Sequence, residues 1–273
     1  MIRGLIRGAA VVAARASRLA ELAAAATLSR SVLRQGVTAT WNDFNPHRDE
    51  VLSGLMAWER TAYGMALKPG DRILLIGCGS GRDLIALAED GYTVVGVDPA
   101  PEALRRALFY CAERGVHAPL VEGFFEDHAF DGPFDSIIFS FRSYSLILGR
   151  AVRIAALDKA RRLLSPGGRV VISYAAGPGT RASGLAVMRA VGWLTRTDVR
   201  PEPGDHFYRI AQSPHFGFEH HFAPGELEAE AVAAGCVLLA EPGRGSAIFV
   251  DASTASSSHP PMTVANAATS GAP

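Results

Sequence analysis

Four short apolar runs, Ile73–Ile76, Val94–Val97, Ile137–Phe139 and Val170–Tyr174, alternate with longer stretches of helical period, and this alternation constrains the fold more than any other feature. Strands that follow one another through helices need right-handed crossovers. Such crossovers build a mostly parallel sheet covered by helices on both faces, so the expected fold class is α/β and doubly wound. Two later runs, Val237–Leu239 and Ile248–Val250, are joined by the turn residues EPGRGS and predict a closing hairpin.

The first run ends in a sequence of unusual composition, ILLIGCGSGRD, which sets Gly77, Gly79 and Gly81 at alternate positions where a buried strand must turn into a helix. The crevice outside the carboxyl ends of parallel strands is where open α/β sheets bind ligands. Glycine takes φ > 0 and lets the main chain touch a ligand, so the turn, with Cys78 as a small filling residue, makes a bare shelf. The helix opening near Gly81 presents free N–H groups to a carboxylate. Asp98 ends the second run 17 residues after Gly81, near the roughly 20-residue offset at which an acidic side chain meets ribose hydroxyls. The expected ligand therefore contains a ribose. A nicotinamide dinucleotide would use the same platform, but its fingerprint is Gly-x-Gly-x-x-Gly, whereas the spacing here is Gly-x-Gly-x-Gly followed by Arg82-Asp83.

Around this centre the chain divides into an arm, a domain and a tail. Residues 1–36 are Ala-rich and carry Arg3, Arg7, Arg15, Arg18, Arg30 and Arg34 against Glu21 alone. Arg3, Arg7, Arg15 and Arg18 share one helical stripe, which predicts a basic amphipathic helix: a solvated face on a helix packed against the domain or a frayed arm, with a partner-docking or membrane-surface helix as the alternative. Arg15 and Arg18 break the apolar run early, which argues against a secretory signal. Residues 37–251 are the expected domain, with Asp49–Ala66 read as one amphipathic helix and residues 175–216, rich in turns, as an insertion over the site. Residues 252–273 are small and polar and predict a disordered tail.

With 27 basic and 27 acidic residues the formal charge is zero, so no global field draws the chain to nucleic acid. Cys78, Cys111 and Cys236 lie apart in apolar surroundings and read as reduced core thiols, consistent with a cytoplasmic protein. No run reaches the roughly 18 to 20 apolar residues that span a bilayer.

Taken in order, ILLIGCGSGRD, VVGVDPAPEAL, VEGFFEDHAFDGPFDSIIFSF and LLSPGGRVVISY resemble the successive motifs of the class I S-adenosylmethionine-dependent methyltransferases, over about residues 58–250. The resemblance implies a seven-stranded sheet with an antiparallel edge strand, and S-adenosylmethionine as cofactor. It further implies that Gly77, Gly79 and Gly81 border the methionine moiety, that Asp98 holds the ribose, and that Pro99, Ala100, Phe124 and Phe125 surround the adenine. Where many relatives place Gly-Asp ahead of such an aromatic pair, this chain has Glu122-Gly123, leaving Glu126 or Asp127 to reach the adenine amino group.

Methyl transfer from a sulfonium is an in-line displacement that depends chiefly on alignment, and a general base is needed only where the acceptor carries a proton that must leave early. The candidates near the acceptor follow the fourth strand (Ser140, Phe141, Arg142, Ser143, Tyr144) or come from the insertion and its sequel (Asp205, His206, Tyr208, Arg209, His215, His220, His221). His206, Tyr144 and His220 are the expected catalytic side chains and Ser140 an expected cofactor contact. No metal site is expected, because no carboxylate-rich set with suitable spacing accompanies the histidines. Arg142 is suited equally to clamping an acidic substrate and to pairing with an acidic side chain. Trp41 and His47 are candidates to close over the cofactor. The expected activity is methyl transfer to oxygen or nitrogen of a small or lipid-like acceptor. A nicotinamide oxidoreductase and a non-catalytic cofactor-binding module stand as alternatives.

Overall fold

The structure, a computed structural model, describes residues 2–210 and 213–255, with side chains from residue 7 onward. Its helices and strands follow in the order α1 (Ile2–Ala25), α2 (Arg30–Asp43), α3 (Arg48–Val51), α4 (Ala57–Ala66), β1 (Arg72–Ile76), α5 (Arg82–Glu89), β2 (Thr93–Asp98), α6 (Pro101–Arg114) and β3 (Leu120–Glu122). The second half adds β4 (Phe134–Phe139), α7 (Arg150–Arg162), β5 (Leu164–Ser173), β6 (Ala175–Ala176), α8 (Ala182–Thr195), β7 (Asp205–Arg209) and β8 (Phe216–Phe222). It closes with α9 (Glu226–Ala233), β9 (Cys236–Gly243), β10 (Ser246–Asp251) and α10 (Ala252–Ala255).

Seven strands form the main sheet in the order β3-β2-β1-β4-β5-β10-β9. The first five are parallel, whereas β10 runs antiparallel to both its neighbours and places β9 at the edge. Strand periodicity explains why these runs are apolar throughout rather than alternating. Leu74, Ile76, Ile137, Phe139 and Phe249 face one core, together with α7 and α9. Ile73, Leu75, Ile138, Val171 and Ile248 face the other, together with α4, α5 and α6. Both faces are buried, so these runs are apolar on both sides, and Ser136 of β4, fully buried, is accommodated with its hydroxyl 3.4 Å from Asp71. The order of crossovers reverses between β1 and β4, and the site opens at that switch point.

A third core joins the arm to the insertion: Leu22 of α1, Leu33 of α2, Met188 of α8, Phe207 of β7 and Phe218 of β8 pack together. The boundary drawn at residue 36 is thus not one the fold observes, since α2 runs through it. Gly36, the last residue of the expected arm, is a point of close approach. A Cβ there would lie 2.0 Å from the Phe216 carbonyl oxygen, so only glycine lets α2 settle on β8. The insertion also extends past residue 216, because β8 pairs antiparallel with β7 and parallel with β6 in a separate three-stranded sheet.

Asp49–Ala66 is not one helix; the chain is interrupted between α3 and α4, with Gly54 at φ +77°. Of the expected tail, Ala252–Ala255 form a helical turn, and residues 256–273 lie outside the described residues. From residue 7 to residue 17 every side chain of α1 is exposed, while Arg18 folds back to donate to the Phe207 carbonyl at 2.8 Å. No helix among the described residues is long and apolar enough to cross a membrane.

Replacing Gly36 by alanine is expected to lower the unfolding free energy by at least about 2 kcal/mol, because helix and strand must separate to admit the methyl group. Denaturant unfolding of the variant beside the parent measures this. An unchanged midpoint contradicts the close packing.

Candidate active site

The turn from β1 to α5 is built by backbone freedom that only glycine supplies cheaply. Gly77, Gly79 and Gly81 have φ of +78°, +52° and +95°. Their surroundings differ. A Cβ on Gly77 would meet Ser143 Cβ at 2.8 Å, and one on Gly81 would press on Ala107 of α6 at 3.2 Å, whereas a Cβ on Gly79 would meet nothing within 4 Å. Gly79 therefore faces open space in the cleft. Gly81 is needed for packing α5 against α6 and does not line the cleft, in contrast to its expected contact with the methionine moiety.

Asp98 locks the turn to the neighbouring strand end. One carboxylate oxygen accepts the Gly79 N–H at 2.9 Å and the other the Ala100 N–H at 2.9 Å. Burial pushes the carboxyl up to about 6, with the two N–H donors and Arg106 opposing the shift. On the other side, the Ser140 hydroxyl donates to the Gly77 carbonyl at 2.8 Å and the Ser143 hydroxyl to the Ile76 carbonyl at 3.1 Å. The shelf is thus held from both flanking strands.

Above it lies a cleft of about 680 Å³, lined by Gly77, Cys78, Gly79, Asp98, Pro99, Phe124, Phe125 and Ser140 among the expected residues. Ala100 is fully buried and does not line it; its role is the N–H given to Asp98. Phe125 turns mainly into the core, edge-on to Phe139 at 5.5 Å, which leaves Phe124 as the exposed wall with the Arg34 guanidinium 3.8 Å above its ring. Cys78 is buried, and desolvation raises its thiol well above the usual range, so it is not a nucleophile. Glu126 lines the cleft, raised by burial and in no ion pair among the described residues, while Asp127 is tied to Arg34. Of the two substitutes for the missing Asp, Glu126 is the one with a carboxylate to offer.

The roof was only partly legible. Trp41 and Phe44 at the end of α2 line the cleft, 5.6 Å apart edge to face; His47, the other expected closer, does not. What holds them is Arg106 of α6, which donates to the Trp41 carbonyl at 3.1 Å, the Phe44 carbonyl at 2.7 Å and the Ser80 hydroxyl at 3.1 Å. A cation at a helix C-terminus stabilises its free carbonyls, and this one also grips the glycine turn. An arginine in a surface-like helical pattern carries no sequence signal for that task. Nor does Glu59, fully buried and pushed up to about 6 by burial first and by Asp83 next, beside the Arg82–Asp83 pair at the floor.

Two of the three expected catalytic residues are structural. Tyr144 and His220 are 0% exposed. The Tyr144 hydroxyl donates to Glu230 at 3.3 Å, and Glu230 also holds Arg153 at 2.7 Å, both of them fully buried. His220 sits between Asp205 at 2.7 Å and Glu226 at 3.1 Å. Neither lines the cleft. The structure does gather Glu202, Asp205 and His220 into a set that no spacing revealed, but Arg153 pairs with Glu202 and His220 hydrogen-bonds Asp205 in a network joining the insertion to α7 and α9. Buried charges need such pairing, and removing one partner typically costs about 3–5 kcal/mol.

After β4 the backbone takes two successive left-handed residues, Phe141 at φ +40° and Arg142 at φ +64°. Each such non-glycine residue costs of order 1–3 kcal/mol, a strain that collects at functional sites. The result turns Phe141 into the cleft against Trp41, ring centroids 6.1 Å apart.

Comparison with known proteins agrees with this geometry. The family described as "Methyltransferase domain" matches residues 73–168. A cypemycin N-terminal methyltransferase from Streptomyces is 36% identical over 116 residues, covering 42% of this chain and 45% of that one. The chain spans less than half the length of this relative and of two others that it matches. Among solved structures, an S-adenosylmethionine-dependent methyltransferase from Clostridium acetobutylicum superposes with a TM-score of 0.55 at 12% identity, covering 74% of this chain and 95% of that one. The CcbJ methyltransferase from Streptomyces caelestis gives 0.51 at 18% identity, covering 76% and 97%. These two establish the shared fold. Residues 73–168 thus match a methyltransferase domain, and the sheet around them has the fold of the two solved methyltransferases.

The glycines separate two effects. Gly77→Ala is expected to lose about 1–3 kcal/mol of stability through the Ser143 contact and the positive φ. Gly79→Ala is expected to lose only about 1 kcal/mol, yet to weaken ligand binding more than Gly77→Ala does at matched folded fraction. Thermal unfolding and calorimetry on the same samples test the contrast, and equal ligand affinity in Gly79→Ala and the parent refutes it.

Asp98 adds a pH dependence. Its folded value of about 6 lies above the ordinary 3.8, so the native state binds the proton more tightly than the unfolded chain. The associated stability is fully present below about 4 and is lost as pH rises through about 6; a shift of this size corresponds to about 3 kcal/mol. Glu59 titrates in the same window. In ligand-free protein, Asp98→Asn is expected to flatten the fall in unfolding free energy between pH 4 and 6.5, leaving the share due to Glu59. A slope equal to the parent's contradicts the assignment.

Proposed function

We propose that this chain is an S-adenosylmethionine-dependent methyltransferase acting on oxygen or nitrogen of a small-molecule acceptor. The observation that carries this reading is the charge of the cleft. Asp49, Glu50, Asp83, Asp98 and Glu126 line it against Arg82 alone. S-adenosylmethionine brings a sulfonium and an ammonium for one carboxylate, so it enters as a net cation, whereas a nicotinamide dinucleotide brings a pyrophosphate that such a lining repels. The same charge favours turnover: once the methyl leaves, the sulfur is neutral and the product is held less tightly.

In this reading Asp98 accepts the ribose hydroxyls beside Gly79, Phe124 covers the adenine, and Glu126 accepts its amino group. The glycine shelf carries the methionine portion. Trp41 and Phe141 exclude water from the sulfonium and restrict the acceptor to an in-line approach, which is the main contribution the protein must make. His206 is the one expected catalytic side chain that keeps free ring nitrogens. It is half-buried, has no hydrogen-bond partner among the described residues, and burial holds it below the ordinary histidine range, so it is a neutral base near pH 7. It lies two residues before Tyr208 on β7, about 7 Å along the strand, and lines neither the cleft nor the pocket around Tyr208.

Full-length protein incubated with methyl-labelled S-adenosylmethionine and a fractionated cell extract is expected to label a small molecule, and Asp98→Ala to reduce labelling by at least tenfold. Label confined to protein or RNA overturns the acceptor class. Tight cofactor binding with no demethylated product over any fraction favours the non-catalytic alternative.

A further inference from the structure

The cleft does not end at Trp41 and Phe141. Behind these rings is a second pocket of about 210 Å³ that shares Val37, Trp41, Phe141 and Leu146 with the cleft and adds Arg142 and, from the insertion sheet, Tyr208 and Glu219. An apolar cavity of about 150 Å³ accepts benzene, so this volume accepts one substituted ring. Its walls are flat. Trp41 and Phe141 meet edge to face, and the Tyr208 ring lies so close over Gly217 that a Cβ there would be 2.3 Å from it.

The charges at its rim are not equally available. Arg142 is 3.2 Å from one oxygen of Glu219, and the His221 Nε2 is 3.1 Å from the other. The His221 Nδ1 faces the Pro178 carbonyl at 3.2 Å. Both of its partners are acceptors, so His221 lies between the Glu219 carboxylate and a backbone carbonyl. Glu219 therefore has both oxygens occupied, and no other carboxylate lines this pocket. Arg142 is half exposed and has Glu219 as its one ion-pair partner among the described residues. An entering anion can take Arg142 while Glu219 keeps His221. An entering ammonium meets a carboxylate already engaged by Arg142 and His221 and must approach beside the arginine.

We propose that this pocket binds the methyl acceptor and that the acceptor is a planar aromatic acid, its ring between Trp41, Phe141 and Tyr208 and its carboxylate on Arg142. The proposal rests on the cofactor reading of the adjoining cleft. An oxygen or nitrogen on the cleft side of the ring uses its lone pair to bond the methyl carbon. The carbon–sulfur bond breaks with its electrons left on sulfur, giving S-adenosylhomocysteine, and the acceptor's proton passes to water. The acidic cleft thus selects the cationic cofactor and the arginine-bearing pocket the anionic partner.

Calorimetry on full-length protein saturated with S-adenosylhomocysteine distinguishes these charges with three probes of nearly equal shape: 4-hydroxybenzoate, its methyl ester and 4-hydroxybenzylamine. The acid is expected to bind at least tenfold more tightly than the ester or the amine. Arg142→Gln is expected to abolish that preference, Arg142→Lys to keep part of it, and Glu219→Gln, which frees the guanidinium, to keep it in full. Equal affinities, preference for the amine, no heat from any probe, or a preference that survives Arg142→Gln overturns the proposal. S-adenosylhomocysteine is titrated first into every sample. Normal binding of it with no charge preference defeats the acceptor proposal alone, whereas its failure to bind the parent protein defeats the cofactor reading as well.

Discussion

The site depends on a single buried carboxylate that bonds in two directions. Asp98 at the end of β2 takes the Gly79 N–H from the β1 turn and the Ala100 N–H from its own loop. Those two donors offset part of the cost of burying the charge, and burial still dominates enough to lift the carboxyl to about 6. The consequence is a rigid shelf whose two edges cannot drift apart, with the one unfilled position, above Gly79, left for a ligand. Serines from the β4 loop hold the opposite side through the Ile76 and Gly77 carbonyls. A ligand entering this cleft meets prearranged groups rather than ordering them itself.

Electrostatics divides the molecule into three regions with different tasks. The cofactor cleft is acidic. The adjoining pocket holds Arg142, half exposed and paired with Glu219. The third region, fully enclosed, is the network of Arg153, Glu230, Tyr144, Asp205 and His220, whose charges face one another and not solvent. That network explains why two attractive catalytic candidates are unavailable. Tyrosine and histidine in such a cluster fix the insertion onto α7 and α9, and their polar atoms are already engaged.

Arm and insertion are also a single unit rather than two appendages. Leu22, Met188 and Phe207 share a core, and Gly36 allows α2 to touch β8. Through Arg106 the end of α2 is in turn bound to the glycine turn, so the roof over the cleft is coupled to the shelf beneath it. Substitutions in the arm, far from Gly79 in sequence, therefore act on the position of Trp41.

Local pattern alone determined the alternation of strands and helices, the glycine shelf and its acidic partner, because each is written in residues close together in sequence: an apolar run, φ > 0 glycines, an Asp at a strand end. The placement of Ser140 beside the shelf was likewise readable from its position after β4, and that of Phe124 from the family resemblance. Tertiary structure decided the rest. Whether Gly81 faces ligand or helix, whether Tyr144 and His220 point into the cleft or the core, and which of Glu126 and Asp127 stays unpaired depend on partners tens to more than a hundred residues away, such as Ala107, Glu230 and Arg34. A side chain's chemistry is local, but its availability is set by what the fold packs against it, and no spacing in one chain encodes that.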